Sequence, residues 1–174
     1  MNKINVYEYS AIVCPGVVLL LILHDFLYII NVNYSSVGDL GVFLILSFCS
    51  GQFVQAIANI LERLIWHPRK LTIKIFKKDR NVNNVNVDES FIRETYINIL
   101  RENKTERIDI FNKQYGLLRG LFIDSLILLC INNVSKGWYC FFTFLFLSFI
   151  IGYRAYHFAG LYSKELLAEY KNLK

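Results

Sequence analysis

Long apolar stretches alternate with polar segments along the chain. The apolar stretches cover residues 11–30, 40–66, 117–131 and 138–153. The second and fourth are long enough to cross the ~30 Å hydrocarbon core of a bilayer as helices. The third spans only if Arg119 extends its charged group towards the membrane surface, so two spans with a buried amphipathic third helix remain an alternative. The pattern predicts an all-α membrane protein with about four hydrophobic helices in one domain, residues 1–174.

The middle segment, residues 67–116, is polar enough to form a small cytoplasmic lobe. Leu71, Ile73 and Ile75 alternate with polar residues, which predicts a short strand or an extended interfacial stretch. The asparagine-rich residues 81–87 indicate a turn or loop. Asp88 and Glu89 then favour the start of a helix that continues to about residue 118.

The second apolar stretch carries polar and small residues on one side of its predicted helix. At 100° per residue, Phe53, Ile57, Ile60 and Leu64 occupy the opposite side and could face lipid. The polar side either packs against other helices or lines a water-filled path. The candidate pore-lining or bundle-interior residues on this side are Ser47, Gly51, Gln52, Gln55, Asn59 and Glu62.

Ionisable residues also fall inside the other apolar stretches, namely His24, Asp25 and Asp124. A charged group at a helix centre costs on the order of 2.5–3.5 kcal/mol on insertion, so each should face protein or water. A structural role at a helix contact is the commoner outcome, and a proton relay through His24 and Asp25 is the alternative. Arg119 is five residues from Asp124, which is poor geometry within one helix, so we expect its partner on another helix.

The distribution of basic residues predicts the topology. Residues 63–119 contain thirteen Lys and Arg, whereas residues 31–39 contain none. The positive-inside rule then places both termini and the middle segment in the cytoplasm of a multi-pass protein of the bacterial inner membrane. A basic patch directly follows a span, so headgroups or a partner are favoured over direct nucleic-acid binding. Its residues are Arg69, Lys70, Lys74, Lys77, Lys78 and Arg80.

The remaining composition supports a membrane protein without a familiar catalytic motif. Hydrophobic residues make up 55% of the chain. The four cysteines lie in apolar runs without metal-ligand spacing, which predicts buried free thiols. Phosphate-loop, dinucleotide, nucleophile-elbow and zinc-protease motifs are absent from the sequence. We therefore predict no cofactor, no metal and no catalytic residues.

Two short segments carry a resemblance to a known family. They are GQFVQAIANILE, residues 51–62, which is followed by the basic patch, and RAYHF, residues 154–158. With its size and hydropathy layout, the chain resembles the small membrane accessory proteins of type VI-B CRISPR systems. The resemblance implies a homo-oligomeric membrane pore that enhances antiviral defence beside an RNA-guided, RNA-cutting nuclease.

The same family has been discussed as carrying a divergent HEPN-type ribonuclease motif, an Arg and a His separated by four to six residues. Arg154 and His157 have only two residues between them, and Arg63 and His67 have three. We therefore interpret Arg154 and His157 chiefly as residues that anchor and pack the last apolar helix at the cytoplasmic edge of the membrane, and a contact at a cytoplasmic pore mouth or interface is the alternative. The alternatives to the pore are a membrane-tethered ribonuclease or RNA-binding factor, and a small transporter or scaffold subunit.

Overall fold

The structure is a computed structural model that describes residues 6–25, 37–65, 67–79, 87–102, 104–135 and 138–173. Within these ranges the fold is all-α, as predicted, and it has six helices. They are α1 (Val6–Asp25), α2 (Val37–Ile65), α3 (Pro68–Lys78), α4 (Glu89–Arg101), α5 (Glu106–Ser135) and α6 (Trp138–Asn172).

The chain divides into two compact units. Unit 1 comprises Met1–Ile60 and Gly116–Ala155, and unit 2 comprises Leu61–Tyr115 and Tyr156–Lys174. Helices α2, α5 and α6 contribute residues to both units.

Unit 1 contains the most apolar parts of the long helices. By length and composition, three helices of the described residues could cross a membrane: Gly38–Leu64, Glu106–Ile131 and Trp138–Asn172. Their outer faces are strongly apolar; Phe53 is 62% exposed and Phe149 is 72% exposed. Soluble monomers rarely expose apolar surface on this scale, so the chain is a membrane protein. The shorter apolar helix, Tyr9–His24, corresponds to the first predicted stretch, whose residues 26–30 lie outside the described ranges.

Unit 2 has its own hydrophobic core. Phe76 of α3, Ile99 of α4, Ile108 of α5 and Leu166 of α6 are completely buried. The Phe76 ring lies 6.2 Å from that of Phe91 and 6.0 Å from that of Tyr170. Helices α3 and α4, which lie within the segment predicted to form a lobe, therefore pack with the C-terminal turns of α6.

The predicted strand or extended stretch at residues 71–75 is wrong, because these residues belong to helix α3. Pro68 suits a first helical position, since its missing N–H would have had no helical acceptor. Thr72 and Phe76, which are four residues apart, point into the core of unit 2. The alternation that we took for a strand is also compatible with a helix whose buried face is set by these two residues.

The helix predicted to start near Asp88 begins there, but it does not continue to residue 118. The Asp88 side chain accepts a hydrogen bond of 2.8 Å from the backbone N–H of Phe91, which is the expected N-cap. α4 ends at Arg101, where the N–H of Lys104 donates to the carbonyl of Ile99. A separate helix, α5, then runs through 30 residues and contains the whole third apolar stretch.

The four cysteines are free, as predicted, but the prediction that they are buried is wrong. Their side chains are exposed on α1, α2, α5 and α6: Cys14, Cys49, Cys130 and Cys140. The prediction rested on how often free cysteine is buried in proteins. On a helix that faces hydrocarbon, an outward thiol meets an apolar environment without being covered by protein.

Candidate functional site

The candidate site lies in unit 1, where α1, α2 and α5 meet through glycines. A methyl group on Gly16 would overlap the carbonyl oxygen of Ser47, and one on Gly51 would overlap the carbonyl oxygen of Ile12. A methyl group on Gly120 would lie 2.6 Å from the ring of Pro15. The backbones approach this closely only because these positions lack side chains, as is common where membrane helices pack.

These contacts also give the helix directions. Ile12 meets Gly51 while Gly16 meets Ser47, so α1 and α2 are antiparallel. Pro15 meets Gly120, and Gln55 hydrogen-bonds to both Ala11 and Gly116, so α1 and α5 are parallel. α1 therefore lies alongside two helices of spanning length.

The side chain of Gln55 joins all three helices. Its amide nitrogen donates to the carbonyl oxygens of Ala11 on α1, at 2.9 Å, and Gly116 on α5, at 3.0 Å. Its amide oxygen accepts from Nε of Arg119 at 3.2 Å and from Nη2 at 3.0 Å. A glutamine amide has two donor hydrogens and two acceptor lone pairs, and all four are used here.

Pro15 explains why the Ala11 carbonyl needs this donor. In a regular helix the carbonyl of residue 11 accepts from the N–H of residue 15, but proline has no N–H. Pro15 lies within α1 and is fully buried. Gln55 supplies the missing donor from α2, which is how a proline is accommodated inside an apolar helix.

Asp124 lies one helical turn beyond Gly120 on the same side of α5. Its side chain is only 1% exposed, so it faces protein, which is one of the two environments expected for it. Among the described residues, neither of its carboxyl oxygens has a hydrogen-bond partner. As expected from the sequence, the partner of Arg119 is on another helix, namely Gln55.

The predicted polar side of α2 divides into two parts. Ser47 and Gly51 are buried, Gln55 is half-buried in the junction, and Glu62 is half-buried in unit 2. By contrast, Gln52 and Asn59 are exposed, together with Ala56 between them. Spacings of four and three residues place these three on one outward stripe, which we call the outer polar stripe: Gln52, Ala56 and Asn59.

The other predicted ionisable residues lie outside the junction. His24 is half-buried near the end of α1, and the side chain of Asp25 lies outside what the structure describes. Arg154 and His157 are both exposed, but they belong to different units.

The basic patch is largely on α3. Its members Arg69, Lys70, Lys74, Lys77 and Lys78 are exposed, whereas Arg80 lies outside the described residues. Arg69 forms an ion pair of 3.1 Å with Glu89 at the start of α4.

The sequence analysis did not identify Pro15, Gly16 and Gly120 as parts of the site. A proline within an apolar stretch was the available signal, because it always leaves one helical carbonyl without its usual donor. In the described part of the chain, no group of three or more His, Cys, Asp or Glu residues is arranged to hold a metal ion. Comparisons of the chain with family models, curated proteins and solved structures give no match.

Proposed function

We propose that this chain is a non-enzymatic membrane protein that crosses the bacterial inner membrane four times and assembles into a homo-oligomer enclosing a water-filled pore. The observation that carries the proposal is the outer polar stripe. Gln52 and Asn59 are exposed amides within the candidate span Gly38–Leu64. Amides at membrane depth are costly unless they meet water or polar groups, and a ring of neighbouring copies supplies either.

The packing of the junction in unit 1 supports a pore between copies of the chain rather than within one copy. Gln55 is saturated by its own chain and the three helices meet through glycines, which leaves little room for water between them. A path for water would therefore form between copies, with Gln52 and Asn59 as the lining candidates.

The helix directions support four passes. α1 is parallel to α5 and antiparallel to α2, as required when α1 and α5 both leave the cytoplasm and α2 returns to it. α1 has 20 residues, about 30 Å of helix, which matches the hydrocarbon thickness. Reporter fusions at both termini test this topology; cytoplasmic reporters at both ends are expected, and a periplasmic reporter at either end contradicts it.

The pore is tested with purified full-length protein in detergent and in liposomes. We expect a homo-oligomer whose liposomes release an entrapped dye. The double variant Gln52→Leu, Asn59→Leu should keep the oligomer size but change or abolish leakage. The matched control is Phe53→Leu, Ile60→Leu on the exposed apolar face of the same helix, which should leak as the natural protein does.

A monomer with no leakage would exclude the pore. Cleavage of RNA by the purified protein, abolished by His157→Ala, would instead identify a membrane-tethered ribonuclease.

The proposed biological role is that of an accessory in antiviral defence. It rests on the resemblance of residues 51–62 and 154–158 to the membrane accessory proteins of type VI-B CRISPR systems. An RNA-guided, RNA-targeting nuclease is then the proposed partner. Location of the gene beside a CRISPR array and such a nuclease is the expected result, and a neighbourhood of transport genes would favour the transporter alternative.

A further inference from the structure

Helix α3 carries a basic face that the pore proposal does not use. Four exposed lysines lie on it at spacings of four, three and one residues: Lys70, Lys74, Lys77 and Lys78. These spacings place all four on one side of an α-helix. We call this surface the lysine face.

The opposite side of α3 is fixed in the core of unit 2. Phe76 is completely buried against the rings of Phe91 and Tyr170. Thr72 Oγ1 and Ser163 Oγ are hydrogen-bonded at 2.8 Å, and both side chains are buried. Because these contacts set the rotation of the helix, the lysine face is held outward.

Two carboxylates next to α3 are already paired with other cations. Glu89 pairs with Arg69, and Asp79 pairs with Lys171. Across the residues that the structure describes, none of the four lysines forms an ion pair or a hydrogen bond. The lysine face therefore presents four uncompensated positive charges.

The turn between α2 and α3 keeps this face near the end of a membrane-spanning helix. The N–H of His67 donates to the carbonyl of Glu62 at 3.0 Å, and His67 adopts a left-handed conformation with φ 41°. The carbonyl of His67 in turn accepts from Lys70 and Leu71 at the start of α3.

Only two residues separate Ile65 of α2 from Pro68 of α3. Three Cα–Cα steps reach at most about 11 Å. The headgroup layer adds roughly 5–8 Å on each side of the hydrocarbon core. The start of α3 is thus within reach of the headgroups at the end of the Gly38–Leu64 span.

We propose that the lysine face binds the phosphate groups of anionic phospholipids in the surrounding membrane. The proposal rests on the membrane insertion of the chain, but it requires neither a pore nor an oligomer. Ammonium groups attract anionic headgroups strongly when they lie next to a span, and their flexible stems suit a fluid surface better than a single rigid site.

The test compares full-length protein in nanodiscs that contain phosphatidylcholine with or without phosphatidylglycerol. The preference for phosphatidylglycerol is measured with spin-labelled lipids. The variant Lys70→Gln, Lys74→Gln, Lys77→Gln should lower this preference about tenfold or more. A charge-retaining variant, with arginine at the same three positions, should keep most of it.

The matched control removes three exposed cations from another part of unit 2, in the variant Arg93→Gln, Arg101→Gln, Lys104→Gln. Its phosphatidylglycerol preference should stay within about twofold of the natural protein. The apolar stretch of α5, residues 117–131, begins about three helical turns after Glu106, so these cations lie farther from the headgroups than the lysine face does. An equal loss in both variants would overturn the proposal, since total charge would then be the cause.

Single-stranded RNA is the competing ligand. If RNA binds the natural protein and not the lysine variant, while the lipid preference is unchanged in both, the lysine face is a nucleic-acid site and the lipid proposal fails. A lipid preference without dye leakage would support lipid binding by the lysine face, and it would contradict only the pore proposal. If the protein does not insert into nanodiscs, both the lipid-binding proposal and the pore proposal are overturned.

Discussion

Gln55 donates a hydrogen bond to the carbonyl of Ala11, the one backbone acceptor in α1 that Pro15 deprives of its helical donor. The two residues are 44 positions apart, and the bond ties α2 to α1. The same amide reaches Gly116 and Arg119 of α5, so one side chain stabilises the junction of three helices.

Replacing Gln55 by leucine should therefore destabilise the protein. The variant removes the donor to the Ala11 carbonyl, and a buried unsatisfied polar group costs about 1–3 kcal/mol. We expect a loss of free energy of unfolding in this range, measured in detergent. Gln52→Leu is the matched control, because Gln52 is exposed on the same helix; its effect should stay within about 0.5 kcal/mol.

The dependence of the Gln55 contact on Pro15 can be tested directly. In a Pro15→Ala background, the alanine N–H can satisfy the Ala11 carbonyl, so Gln55→Leu should cost less than it does beside proline. A double-mutant cycle should give a coupling energy of about 1 kcal/mol between the two positions. If the free-energy changes of Pro15→Ala and Gln55→Leu were additive, the stabilisation by Gln55 would not depend on the missing N–H of Pro15.

Two glycines of α2 should differ in their tolerance of alanine. Gly51→Ala places a methyl group against the backbone of Ile12, so α1 and α2 must separate, and we expect a loss of about 1–3 kcal/mol. Gly41 lies on the same helix with nothing within 4 Å of the added methyl group. Gly41→Ala should be neutral or stabilising by about 0.5–1 kcal/mol, because alanine favours a helix. Equal melting temperatures of the two variants would contradict the close approach.

The sequence predicts those features that depend on neighbouring residues. The N-cap at Asp88 and the apolar helices follow from local propensity and hydropathy. It does not predict the helical state of residues 71–75, because the buried side of α3 depends on Ser163, which is 91 positions from Thr72.

The sequence also does not predict which polar residues of α2 are exposed and which lie in the junction, because this too depends on a residue distant in sequence. Gln52 and Gln55 look equivalent on the predicted helix, yet only Gln55 has a carbonyl without its usual donor opposite it. That difference arises from Pro15 on another helix, which the pattern within α2 cannot reveal.

Unit 2 should lose stability at alkaline pH through Tyr96. Burial, and then the charge of Asp109, raises the pKa of Tyr96 from 10.0 to about 12, and its hydroxyl donates to Asp109 Oδ1 at 3.1 Å. Below pH 10 the tyrosine is protonated in both the folded and unfolded states. Above it the unfolded state loses the proton first, so folding stability falls between about pH 10 and pH 12.

The measurement is the free energy of unfolding as a function of pH for the natural protein and for Tyr96→Phe. The decrease between pH 10 and 12 should be smaller in the variant, which has no proton to lose at this position. The difference in tyrosinate absorbance between the two proteins should show Tyr96 ionising at about pH 12. An ionisation close to pH 10 would contradict the buried contact with Asp109.

Asp124 should be a site where stability and function oppose each other. Its carboxyl group is 1% exposed and, within the described ranges, has no hydrogen-bond partner, so the fold bears an uncompensated desolvation cost. Replacement by leucine should raise the free energy of unfolding by about 1–3 kcal/mol, whereas the near-isosteric Asp124→Asn should change it less. Ser125→Ala, at the next buried position of α5, serves as a control for altered helix packing. Ionisable groups inside a membrane are costly and commonly serve a functional path, so under the proposed pore Asp124→Leu should also reduce dye leakage from liposomes. A more stable variant with undiminished leakage would show that the carboxyl group has no part in the leakage, and a variant less stable than the natural protein would contradict the uncompensated desolvation cost.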